Sequence, residues 1–159
     1  MKSLDAFIST NPAYCSFAIF HFCQGYMNEA KASMPYPLMV LPVPIILSGE
    51  FENRFRNQRI ATGLYAWLER NPDVLIELAE RIEGTIPLTK SAITFGLSSN
   101  IIEISENGLV KANSNSLKKT VPANNQKLKI IKKNAELLGS WCGQAKSAAM
   151  VFNQMGVKL

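Results

Sequence analysis

Ile101-Ile102-Glu103-Ile104-Ser105-Glu106-Asn107-Gly108-Leu109-Val110-Lys111 holds two short apolar runs around an Asn-Gly pair. Asn-Gly suits the positive φ of tight hairpin turns, so this stretch predicts a β-hairpin. The residues before it have helical spacing. Ile60, Leu64, Trp67 and Leu68 fall at i, i+4, i+7 and i+8, a core-facing stripe. Asn71-Pro72 ends that helix and opens a second, with Val74, Leu75, Leu78, Ala79 and Ile82 as its stripe up to Gly84. Pro87 opens a third, through about Ser98, with Leu88, Ala92, Phe95 and Gly96 inward. Three short helices and then a hairpin is the order of a winged helix-turn-helix, with the hairpin as the wing. The expected fold class is mostly α with a small β-hairpin: a winged helix-turn-helix-like core with flanking N- and C-terminal helices.

Upstream, Ser9-Thr10-Asn11-Pro12 offers a capping side chain and then proline at the first helical position. A helix is expected from Ala13 to about Ala32. Tyr14, Phe17, Ala18, Phe20, His21 and Phe22 cover more than one of its faces, so it should be largely buried. After it comes the run Met34 to Leu47, apolar and broken by Pro35, Pro37, Pro42 and Pro44. Interior prolines remove donors and clash with the preceding turn, and they push Met34, Tyr36, Leu41 and Val43 out of the α region. The run therefore reads as an extended strap; it is too short and too broken to span a bilayer. Downstream, a polar linker over 113–122 leads to a basic amphipathic helix, about Asn124 to Gly139. Leu128, Ile131, Ala135 and Leu138 lie on one side of it and the lysines mostly on the other. A last helix, about Gln144 to Gln154, ends at Gly156. The organisation expected is one domain over 1–159, divided into a helix and strap (1–58), the winged-helix-like core (59–112) and a linker with C-terminal helices (113–159).

The chain has 159 residues, 47% of them apolar, which suits one sizeable core and not a disordered chain. Its formal net charge of +5 is uneven. Lys118, Lys119, Lys127, Lys129, Lys132 and Lys133 supply much of it. Such a strip permits contact with nucleic acid or an acidic protein without requiring either. Three cysteines without a regular framework favour free thiols and a reducing compartment. No signal-peptide pattern precedes them, so the expected location is the cytoplasm.

No stretch spells out a reaction. Gly139 to Ser147 has glycines and Lys146, but the Gly-Lys adjacency of a phosphate loop is missing and a helix, not a strand, precedes it. The plain reading is a helix–helix junction with a tight turn. His21 and Cys23 are two apart and point to different faces of one helix, which argues against a shared metal. A core histidine with one hydrogen bond and buried free cysteines are the expectation; a small hydrolase or transferase would need the two groups to meet in a pocket. Glu69, Asp73, Glu77 and Glu80 read as a solvated face, with Glu77 and Arg81 as an i, i+4 pair. If the winged helix binds DNA, the groups available are Thr89, Lys90 and Ser91 early in its third helix and Lys111 on the wing. That is thin for a duplex, since neutralising phosphates takes several cations.

Several runs together resemble a known family. They are Tyr14-Cys15, Phe22-Cys23-x-Gly25-Tyr26, Pro35-Tyr36-Pro37-Leu38-Met39 and Leu41-Pro42-x-Pro44-Ile45-Ile46-Leu47. Trp67-Leu68 with Asn71-Pro72, Arg81, Ala92-x-x-Phe95-Gly96, Leu137-Leu138-Gly139-x-Trp141 and Gly156-Val157 complete the set. The chain is similar, from about Asn11 to Gly156, to the middle component of three-component ABC systems of bacteria. The resemblance implies a non-catalytic adaptor that links an ABC ATPase, a separate chain, to an effector component in a defence or conflict system. It implies no catalytic residues, no cofactor and no membrane. Oligomers, and nucleic acid reached through the complex, are compatible with it. The expected partner-binding residues are those of the strap: Pro35, Tyr36, Pro37, Leu38, Val40, Pro42 and Pro44. The Asn/Ser/Lys-rich stretch 113–125 departs from the family pattern. The alternative is a winged-helix DNA-binding regulator using Thr89, Lys90, Ser91 and Lys111.

Overall fold

The computed structural model describes residues 10–114, 125–145 and 147–158. Its α-helices are α1 (Pro12–Ala30), α2 (Leu64–Arg70), α3 (Leu78–Ser98), α4 (Gln126–Gln144) and α5 (Ala148–Gln154). Its strands are β1 (Met34–Pro35), β2 (Ile102–Ile104) and β3 (Leu109–Ala112). The fold is mostly α with a small antiparallel sheet in the order β1-β3-β2. The linker expected over 113–122, with Lys118 and Lys119, falls largely on 115–124, outside the described residues.

Helix α1 forms the centre. The Asn11 side chain accepts the Ala13 N–H at 2.9 Å, and Pro12 takes the first turn, where its missing donor costs nothing. Almost every residue from Cys15 to Tyr26 is buried, as aromatic residues on several faces require. Lys31 closes the helix in the left-handed region at φ 57°.

Against α1 lies α4, with Leu128, Ile131, Ala135 and Leu138 buried and Lys129, Lys132 and Lys133 exposed, the sidedness its spacing predicts. Its end differs from expectation: the helix continues through Gly139 and Gly143 instead of turning there. A methyl group on Gly139 would overlap the Phe22 carbonyl, and one on Gly143 would stand 2.8 Å from the Tyr26 carbonyl oxygen. The glycines let two helix backbones touch, and this close packing offsets their helix penalty of about 1 kcal/mol each. The Ser140 hydroxyl donates across the crossing to the Gly25 carbonyl at 3.2 Å.

The hairpin forms as predicted. Ser105 N–H donates to the Leu109 carbonyl at 2.9 Å, and Gly108 holds φ +74° in the turn. Val110 and Ala112 face the core while Leu109 and Lys111 face out, the alternation of a half-buried strand. A third strand was not expected. Met34 and Pro35 pair with Val110 and Leu109. Proline is tolerated there because β1 is an edge strand.

The strap also differs from expectation. Only β1 is extended; Tyr36–Val40 is a 3₁₀ turn and Val43–Leu47 a π turn. Pro37 and Pro44 each lie in the first turn of their own short helix, where a missing N–H leaves nothing unpaired. Leu41 adopts αR dihedrals (φ −83°, ψ −41°) directly before Pro42, against the usual preference of a pre-proline residue.

The three-helix reading of residues 60–98 also needs revision. Ile60–Thr62 is a separate 3₁₀ turn, and Ile60 is 45% exposed. Pro72–Leu75 is 3₁₀, and the second and third expected helices are one, α3, which passes through Gly84 and Pro87. Leu78 and Ile82 anchor it before the proline and Ala92 and Gly96 after it, while Phe95 is 40% exposed and not inward. Arg81 does not settle on Glu77. Its guanidinium donates to the Glu50 carboxylate at 2.6 Å and lies over the Phe51 ring.

At the chain's end the Ser147 hydroxyl caps α5 by accepting the Met150 N–H at 3.2 Å. Gly156, at φ +68°, lets Val157 N–H return to the Phe152 carbonyl at 2.9 Å, a Schellman closure. One apolar cluster gathers residues from Cys15 to Val157. Near one end of it Phe55, Trp67 and Trp141 stack together, with both indole N–H groups donating to carbonyls of the 51–59 segment, those of Arg54 and Arg59.

Candidate partner-binding surface

The strap divides into buried and accessible residues. Leu38, Pro42 and Pro44 are buried, so these three members of the expected docking set build the chain's own core. Leu38 has no exposed surface at all. Pro35, Pro37 and Val40 are half-buried, and Tyr36 is 57% exposed. Tyr36 is held in place by the hairpin turn. Its N–H donates to the Gly108 carbonyl at 2.9 Å, and its ring stands where a methyl on Gly108 would be 2.9 Å away. Leu109 and Ile104 are also exposed on the sheet. On its other side Pro37 helps line a groove of about 340 Å³ with Ala148, Phe152 and Val157 of the C-terminal segment. What the strap offers a partner is thus Tyr36 with its half-buried shoulders, set against the hairpin turn. Sequence spacing could not separate Tyr36 from Leu38, because neither the strand period nor the α period applies to 3₁₀ and π turns.

The residues named for DNA contact do not form one helix end. Thr89 is 2% exposed in the middle of α3, so it cannot reach a duplex. Lys90 and Ser91 are exposed on α3, and Lys111 is exposed on β3. Because α3 begins at Leu78, these α3 residues lie far from its N-terminus.

His21 is buried between the Phe17 and Phe20 rings, and its Nδ1 lies 3.0 Å from a Glu136 carboxylate oxygen. Cys23 instead faces the Val110 carbonyl at 3.6 Å and the Met27 sulfur at 3.8 Å. The two side chains meet different neighbours, so the pocket that a His–Cys reaction requires is not formed. Burial pushes the Cys15 thiol up to about 11 and the Cys23 thiol up to about 12, and it raises Cys142 as well. Thiols held protonated in this way are weak nucleophiles at neutral pH. Among the described residues no three His, Cys, Asp or Glu side chains are placed to hold a metal ion. Lys146, the lysine of the glycine-bearing stretch, lies outside the described residues.

The family model of the ABC-three component (ABC-3C) system Middle Component 3 matches residues 5–159. The chain belongs to this family. A search of the curated proteins and of the solved structures found no match. Membership in Middle Component 3 agrees with the resemblance carried by the strap, the Trp67-Leu68 and Asn71-Pro72 pairs and the Gly139-x-Trp141 run. In the structure most of those residues have packing roles. Trp67 and Trp141 share a cluster, Gly139 touches α1, and Arg81 ties α3 to Glu50. Among the described residues no helix of this Middle Component 3 protein is long and apolar enough to cross a membrane.

Proposed function

We propose that this chain is a non-catalytic adaptor of the cytoplasm, joining an ABC ATPase to the effector-bearing component of a bacterial defence system. Membership in the middle-component family over residues 5–159 carries the proposal, since such a protein is one of several chains that work together. Two local features support it. The strap presents Tyr36, 57% exposed and backed by Pro35, Pro37 and Val40, an accessible aromatic of the kind that protein partners cover. The thiols and the single histidine are spent on the core. Co-purification of the full chain with the ATPase and with the third component of its own system is the test. A complex at micromolar concentration that weakens when Tyr36 becomes Ser is the expected result; two folded partners that never associate would sink the adaptor.

A second reading, a winged-helix DNA-binding regulator, has one observation in its favour. The order α1, β1, α2, α3, β2, β3, with the sheet closed by β1 on β3, suits a winged helix. Its contacts would come from Lys90, Ser91 and Lys111. This reading predicts salt-dependent duplex binding that falls when Lys90 and Lys111 are changed to Gln. Binding that ignores that double change counts against it.

A further inference from the structure

A groove of about 380 Å³ opens between α4, the C-terminal half of α1 and the loop that carries Gln58 and Ile60. Lys129, Lys132 and Lys133 stand along one side of it, all exposed. They fall on one face of α4 because residues three and four apart share a face. Lys127, two residues before Lys129, is within 3.5 Å of Glu52. Lys129, Lys132 and Lys133 by contrast make no ion pair among the described residues. The carboxylates in the groove are engaged elsewhere: Glu136 by His21 at 3.0 Å, and Glu29 by the Gln144 amide at 3.4 Å. Ile60, 45% exposed, gives the groove an apolar wall, and Arg59 beside it is exposed as well.

We infer that this groove receives an acidic segment of a partner protein, with an apolar side chain seated against Ile60 and carboxylates on Lys129, Lys132 and Lys133. Ammonium groups without an ion pair among the described residues, set over an apolar wall, match such a segment in both charge and hydrophobicity. A phosphate backbone fits less well. Three lysines fall short of the roughly six to ten contacts that strong duplex binding uses. Gln58 and Asn28, also in the lining, each make one bond within the chain, to the Arg56 carbonyl and from the Gln24 amide, and their remaining amide atoms suit peptide groups. The partner's origin rests on the adaptor reading: the segment belongs to the ABC ATPase or to the third component of the same system.

The test measures affinity of the full chain for each of those two proteins at low and high salt. K129E/K132E/K133E is compared with the parent, and K129Q/K132Q/K133Q is the milder variant that decides the matter if the reversal fails to fold. The reversal should weaken binding to one component by about tenfold or more, mostly through slower association, and flatten its salt dependence. The Gln variant should do so less, and Ile60→Ser should weaken the same complex without altering its salt dependence. Parent and variants binding equally well would overturn the groove while leaving the adaptor intact. A parent that binds neither component overturns both. Variants that keep their protein complexes but lose affinity for a random-sequence DNA duplex would make the groove a nucleic-acid site, against the inference.

Discussion

Pro37, Pro42 and Pro44 divide the strap into short 3₁₀ and π turns, whereas Pro87 sits inside a 21-residue helix that continues past it. The residue type is the same and the outcome opposite. In the strap the prolines come too close together for an α-helical turn to form between them, so Pro37 and Pro44 each take the first turn of a new, tighter or wider segment and Pro42 caps the second. In α3 the proline is alone. It leaves one carbonyl, that of Glu83, without its helical donor, and Glu83 and Gly84 are exposed where water can serve instead. Leu78 and Ile82 on one side, and Ala92 and Gly96 on the other, hold both halves against the core. Burial of such side chains, at about 0.8 kcal/mol per methylene, outweighs a local cost of about 3 kcal/mol. Proline spacing thus decides secondary structure when it is dense, and packing decides it when it is sparse.

Substitutions can break this contrast. The largest effect should come from Leu38→Ala, which empties a fully buried strap position; urea unfolding should show a loss of about 2–5 kcal/mol. A loss below about 0.5 kcal/mol would mean that the strap is not part of the core. Next, Pro87→Ala should stabilise by roughly 1–3 kcal/mol, because the new N–H can reach the Glu83 carbonyl. A destabilised variant would instead mean that α3 packs around the shape its proline imposes. Pro44→Ala should have the opposite sign and cost about 1 kcal/mol, since Pro44 is buried and its fixed φ restrains the unfolded chain. Equal signs in the two prolines' thermal melts would erase the distinction. The smallest effect on stability belongs to Tyr36→Ser, within about 0.5 kcal/mol, because the side chain is mostly exposed. The same variant should still lose affinity for the partner that covers the strap.

Signals that need only a few neighbouring residues were legible. Asn11-Pro12, Asn107-Gly108 and Gly156 each specify a cap or a turn by backbone chemistry, and each does so here. The lysine face of α4 was legible for a similar reason, since helical period alone sorts Lys129, Lys132 and Lys133 from Leu128 and Ile131. Little of the candidate surface could be read this way. Exposure of Tyr36 beside a buried Leu38 depends on turns without a simple period. The groove around the lysines needs Gln58 and Ile60 to arrive from a distant part of the chain.

By itself, then, the sequence determined the helical class, the hairpin, the family and the sidedness of α4, because all of these follow from local patterns or from residue identity. Tertiary structure alone decided that Met34 and Pro35 become a third strand, since two residues pair only when β3 offers a free edge. It also decided that Gly139 and Gly143 serve a helix crossing and not a turn. Arg81 meets Glu50, and Pro87 stays within a helix, for the same reason. Those choices compare a local preference of a few kcal/mol with burial against residues far away in the chain, and that comparison exists only once the chain has folded.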